Sequence, residues 1–258
     1  MEFLYRNYIN TTTQIAVNSN TGTSANLFNT DKFFQYYTDG LASDLTSSSI
    51  TISFDSTTLV SRIGILDTNA KEMRIFYNGS TANTFSLTTT GSTSTSYWTG
   101  NAESNLYLRT SPVYVTSVSI DIKTTQTADQ EKHIALLVVS DLYTSLTQIP
   151  NASGYDPKII PKQVVHTLSD GGTRIHNVRK KWDVSIKLDY ISETQRDNLK
   201  DIYELTVPFV FCPFGTTTSW DGILFESVWT GAFDFFQYSD NAAVSGFSGG
   251  IKLKETPS

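Results

Sequence analysis

Ile50-Thr51-Ile52-Ser53-Phe54 sets apolar side chains at every second position, the period that lines one face of a half-buried β-strand. The pattern returns throughout residues 1–145. It predicts strands at Ser61 to Leu66, Met73 to Tyr77, Thr84 to Thr88, Asn105 to Arg109, Tyr114 to Lys123 and His133 to Leu142. Turn-forming stretches such as Asn78-Gly79 and Gly91-Ser-Thr-Ser94 separate them. The longest apolar run, Ile134 to Val139, suits a buried strand. With no helix signal between these segments, the reading is an antiparallel sandwich or jelly roll.

Composition agrees with an all-β chain that folds. Of 258 residues, 12% are aromatic and 17% charged, which suits buried aromatic and β-branched side chains rather than solvated disorder. The first half is rich in Thr, Ser and Asn, which compete with helical hydrogen bonding. A formal net charge of −6 repels phosphate backbones and anionic membranes, so nucleic acid is not an expected partner. No stretch approaches the roughly 20 apolar residues of a spanning helix, so no membrane insertion is expected. The single cysteine, Cys212, lies in Phe-Val-Phe-Cys-Pro-Phe and reads as a buried thiol.

Gln148-Ile-Pro-Asn-Ala-Ser-Gly-Tyr-Asp-Pro157 interrupts the alternation with two prolines and a glycine. The expected division is therefore 1–148, a linker at 149–156, and 157–258, the last a β-rich, barrel-like domain with one short helix. Its strands are expected at Val164 to Leu168, Lys181 to Tyr190, Val207 to Phe214, Leu224 to Thr230, Phe233 to Tyr238 and Gly250 to Glu255. Between them Ser192-Glu-Thr-Gln195 reads as a capping box, and Leu199, Ile202 and Tyr203 follow at helical spacing, which predicts a helix over about 192–205.

Chemistry is sparse. No nucleophile with a base, metal-ligand spacing or phosphate loop is visible, so a non-enzymatic protein without a cofactor is expected. His133, His166 and His176 lack the close pairing of zinc motifs. Asp170-Gly-Gly172 reads as a hairpin turn. Asp67, Glu72, Glu103 and Glu226 are scattered along the chain, and a glycosidase needs two acids brought together. Asn29, Asp31 and Asp39 could hold calcium or cap loops. Arg174, Arg179, Lys180 and Lys181 form a basic cluster, either an interface with a partner subunit or a solvated strand end. Phe34, Tyr36, Tyr97 and Trp98 could stack on sugar rings or belong to the core.

Two resemblances extend this reading. Asn26-Leu-Phe-Asn-Thr-Asp31, Ile50-Thr-Ile-Ser-Phe-Asp55 leading into Val60-Ser-Arg-Ile-Gly-Ile65, and Ile134-Ala-Leu-Leu-Val-Val-Ser140 resemble a discoidin domain, the galactose-binding-like jelly roll, over residues 26–145. Leu168-Ser-Asp-Gly-Gly172, Lys180-Lys-Trp-Asp-Val184, the short helix, Pro208-Phe-Val-Phe211 and Ile251-Lys-Leu-Lys-Glu255 resemble the minor tail protein M and distal tail proteins of long-tailed phages. That second resemblance implies a virion protein of a tail tip or baseplate, made in the host cytoplasm. It implies a homo-oligomeric ring built by the second domain, among tail-tube, hub and tape-measure proteins, with the sandwich projecting outward. The alternative is a carbohydrate-binding module or adhesin acting on host-surface glycan.

Overall fold

A computed structural model of the chain describes residues 1–29, 34–38, 47–85, 100–146, 155–167, 172–205, 207–213, 224–237 and 246–256, the side chains of 162–164 and 175–180 aside. The strands are β1 (Glu2–Leu4), β2 (Ile15–Val17), β3 (Tyr36–Tyr37), β4 (Ser48–Thr68), β5 (Ala70–Tyr77), β6 (Ser80–Thr84), β7 (Leu106–Thr125) and β8 (His133–Ser140). They continue with β9 (Leu142–Ser145), β10 (Tyr155–Thr167), β11 (Thr173–Ile191), β12 (Phe209–Cys212), β13 (Phe225–Trp229), β14 (Asp234–Gln237) and β15 (Phe247–Glu255), with helix α1 (Glu193–Glu204) between β11 and β12. The protein is all-β, and its strands pair antiparallel in two sheets.

The first sheet runs β3-β8-β4-β7-β5-β6, with β2 also on β4. Its two long strands serve both layers of a sandwich. Ser48–Ser53 of β4 pair with Ser117–Ile122 of β7, and Val60–Ile65 pair with Leu106–Val113, with register shifts between Ser53 and Thr58 and between Val60 and Arg62. Ile50 and Ile52 from one half then meet Ile63, Ile65 and Leu137 from the other in one apolar cluster, so a single sheet folds over its own core. The pairs of strands expected at 50–54 and 61–66, and at 105–109 and 114–123, are thus each one bent strand. Residues 55–58 and 110–112 lie at bulges that let each strand continue its ladder while turning it. Asn78 and Gly79, both at positive φ, close the β5–β6 hairpin as their dipeptide predicts.

The second sheet runs β10-β11-β15-β13-β12-β1-β9, with β14 also on β15. Here strand pairing crosses the expected division at 149–156. Glu2–Leu4 pair with Val210–Cys212 on one side and with Leu142–Ser145 on the other. Phe3 packs its ring on Phe209 and Phe211, which puts β1 into the second core beside Leu199 and Ile202 of α1. The sandwich is therefore an insertion between two neighbouring strands of the second sheet. Helix α1 has its predicted start: Ser192 Oγ accepts from Gln195 N at 3.2 Å and Gln195 Oε1 accepts from Ser192 N at 3.0 Å.

A third apolar cluster joins the sheets. Leu66, Leu136 and Val138 on the outer side of the sandwich meet Leu4, Val210, Cys212 and Leu224 of the second sheet. This is why β8 is apolar at consecutive positions: Ile134, Leu137 and Val139 face the sandwich core, and Leu136 and Val138 face the neighbouring sheet. Gly64 permits the approach, since a Cβ there would collide with Leu224 Cδ2. Gly64→Val is expected to cost about 1–3 kcal/mol of stability by overpacking. Urea unfolding checks it, and combination with Leu224→Ala is expected to cost less than the sum of the two single changes.

Candidate functional site

At the edge of the second sheet, β10 and β11 pair from Tyr155 opposite Ile186 to Thr167 opposite Thr173. Only part of β11 has a second neighbour, because β15 pairs with Asp183–Ile191 and goes no further. The remainder, Thr173–Trp182 with its partners on β10, is a two-stranded arm extending about 30 Å at the rise of an antiparallel strand. Its root is held: Trp182 N donates to Glu255 Oε2 at 2.9 Å, and the Trp182 ring lies over Phe225. Pro157 and Pro161 sit within β10 without breaking it, because an edge strand has one side on which no donor is needed.

The arm buries little. Ile159, Ile160 and Val165 are 51%, 48% and 57% exposed. Ile159 and Ile160 are adjacent, so their side chains leave opposite faces of the ribbon, and both are exposed. A lone two-stranded ribbon is marginal in water, so these exposed apolar side chains contribute little to holding it. Sequence reasoning found only the ends of these strands, because the break ending at Pro157 took in the start of β10 and no alternation marks the stretch after it. The signal that could have exposed the arm is the pair Ile159-Ile160 between prolines, flanked by Lys158 and Lys162.

The candidates named from sequence fall in different places. Arg174 is exposed on the arm and Lys181 is half-buried near its root, while the side chains of Arg179 and Lys180 lie outside the described residues. Phe34 is 54% exposed, as a stacking ring requires. Tyr36 is not a stacking residue: its ring is fully buried in the sandwich core and its hydroxyl donates to Ser19 O at 2.8 Å. β3, too short to show a period, draws it inward. Tyr97, Trp98, Asp31, Asp39 and Asp170 lie outside the described residues. Asn29 is half-buried, and among the described residues no group of three His, Cys, Asp or Glu side chains could hold a metal.

Three of the four scattered carboxylates have separate surroundings. Asp67 accepts from Gln35 Nε2 at 2.5 Å, and Glu72 pairs with Lys123 at 3.5 Å. Glu226 lies in the other sheet, in register with Val210. Burial pushes its carboxyl above the ordinary range, against a smaller opposite effect from the Asn7 backbone amide.

No protein-family model matches the chain, and no curated protein matches it. Solved structures similar to it include carbohydrate-binding modules. One is a mutant of chitosan-binding module 1 from a chitosanase/glucanase of Paenibacillus sp. IK-5, at 12% identity over 53% of this chain and 98% of that one, with a TM-score of 0.42. Another is CBM32-1 from a family 31 glycoside hydrolase of Clostridium perfringens, at 15% identity over 52% and 99%, with a TM-score of 0.37. A pectin-binding module is similar at 16% identity over 48% and 87%, with a TM-score of 0.35.

The Glu226 environment gives a signed expectation. A carboxyl whose pKa is raised on folding supports the fold below its ordinary value of 4.5 and loses that support as pH rises through the raised value. Glu226→Gln, which cannot ionise and can still accept from Asn7, is expected to melt higher than the parent at neutral pH. Thermal melts at several pH values check it, the difference vanishing below about pH 4.5.

Proposed function

We propose that this chain is a non-enzymatic assembly protein that self-associates through the β10–β11 arm, in the setting of a phage tail tip or baseplate, with the inserted sandwich presented outward. The observation that carries the self-association is the bare arm, with Ile159, Ile160 and Val165 exposed on a ribbon that β15 does not support. Charge supports a second copy as the partner. Residues 155–182 hold six Lys and Arg against two Asp, a formal charge of +4; the whole chain carries −6, so the remaining residues carry −10. A basic ribbon on an acidic body is complementary to the body of another copy, and a repeated head-to-tail contact of that kind closes into rings.

The tail setting rests on the resemblance of residues 160–256 to tail proteins, since none of the solved structures named above is one. The strand pairing bears on it, because β1 joins the second sheet and makes the sandwich a decoration inserted into it. A second reading, a carbohydrate-binding module or adhesin, is favoured by the exposed Phe34 ring on the sandwich. The similar solved structures include modules that bind chitosan and pectin. At their TM-scores they assign no ligand to this chain.

Sedimentation velocity of the full chain tests the assembly. The parent is expected to form oligomers that loosen when salt shortens the screening length from about 10 Å at 0.1 M to about 3 Å at 1 M. Ile160→Glu with Val165→Glu, both at exposed positions, is expected to sediment as a monomer with an unchanged melting temperature. A parent that stays monomeric at its highest soluble concentration overturns the reading.

A further inference from the structure

On its outer face the second sheet carries a cleft of about 820 Å³, lined by β11, β14 and β15 and the turn before β14. Strand alternation builds it. On β15, Phe247, Ile251 and Leu253 enter the core, so Ser248, Gly250 and Lys252 fall on the other side. Cross-strand register then sets Phe236 beside Ser248, and both Asp234 and Lys187 beside Gly250. With no side chain at Gly250 the floor is bare backbone, and a Cβ there would meet nothing closer than Ile186 O at 3.8 Å.

Two features of this cleft have no use within the fold. Phe236 turns an aromatic ring 59% exposed into the cleft. Ser248, 3% exposed, lines the same cleft, and its Oγ is among the buried polar atoms with no hydrogen-bond partner among the described residues. A buried hydroxyl without a partner costs stability that a ligand hydroxyl would restore.

We infer that this cleft is a saccharide-binding site, in which the Phe236 ring stacks on the C–H face of a neutral sugar while Ser248, Asp234, Lys187 and Lys252 bond its hydroxyls. The charges select the class. Asp156, Asp189 and Asp234 oppose Lys187 and Lys252 for a formal −1, so an anion meets three carboxylates and a cation two ammoniums. Among the described residues no salt bridge engages Asp189, Asp234, Lys187 or Lys252; Asp156 pairs with Lys158 at 2.9 Å. A sugar hydroxyl both donates to a carboxylate and accepts from an ammonium, and its ring offers an apolar face to the aromatic. The site lies on the second sheet, apart from Phe34 on the sandwich, and does not rest on self-association.

A printed array of neutral and acidic oligosaccharides, followed by calorimetric titration with the strongest neutral sugar, tests the site on the full chain. Neutral glycans are expected to bind, Phe236→Ala to weaken binding about tenfold or more, Ser248→Ala to weaken it less, and Phe34→Ala to leave it unchanged. Phe236→Ala removes an exposed ring, so an unchanged melting temperature confirms that its fold is intact. An array that retains no neutral glycan, binding lost with Phe34→Ala but kept with Phe236→Ala, or retention of charged ligands alone, as for a peptide groove, each overturns the assignment. Ile160→Glu with Val165→Glu leaves the titration unchanged, so loss of assembly and loss of sugar binding are read separately.

Discussion

The carboxylate of Glu2, almost wholly buried, receives both sheets at once. It sits on β1, hydrogen-bonded within the second sheet, and accepts from Arg62 Nε and Nη2 at 2.9 and 3.0 Å. Arg109 Nη2 lies 3.0 Å away and the Tyr107 hydroxyl also donates to it, and all three partners belong to the sandwich. Desolvating an ion pair is costly, and removing one partner leaves the other charge stranded, typically at about 3–5 kcal/mol. The cluster therefore contributes less to net stability than to geometry. Without β1 in this place the buried Arg62 guanidinium loses its carboxylate partner.

From that constraint the remaining architecture follows. With β1 held between β12 and β9, the chain leaves the second sheet, builds the sandwich and returns beside its own start. The sandwich is consequently bound at both ends and along the outer side of β8, where Asn7 takes the place of a missing strand by bonding Leu137 O at 2.9 Å and Val139 N at 3.0 Å. At the opposite edge of the second sheet no such cover is found among the described residues. There β10 is the last strand, and the part of β11 beyond Asp183 has one neighbour only. The buried ion cluster thus sits on an interior strand, while the basic ribbon lies at the sheet's edge, where unpaired backbone groups are left open.

Exposed and packing surfaces are drawn from the same residue types in this chain. Tyr36 and Phe34 stand two positions apart, yet one is sealed in the core and the other faces water. Phe235 and Phe236 divide likewise, the first packing on Phe233 and the second left in the cleft. Alternation along a strand guarantees that neighbours part company, but not which of them faces inward. That choice depends on what lies across the sheet.

Much was legible where the physics is local. The period of Ile50 and Ile52, the positive-φ turn at Asn78-Gly79 and the capping box at Ser192 each involve groups within a few residues, so composition and spacing express them directly. The apolar run from Ile134 to Val139 announced a buried strand, though not that two different bodies bury its two faces. What the sequence could not express was long-range: the pairing of Glu2 with Cys212, the merging of four expected strands into β4 and β7, and the continuation of β10 through two prolines. The free energy of those features lies in contacts between segments far apart in the chain. Only the assembled tertiary structure decides which strand is an edge, which face is covered and which side chain is left for a partner.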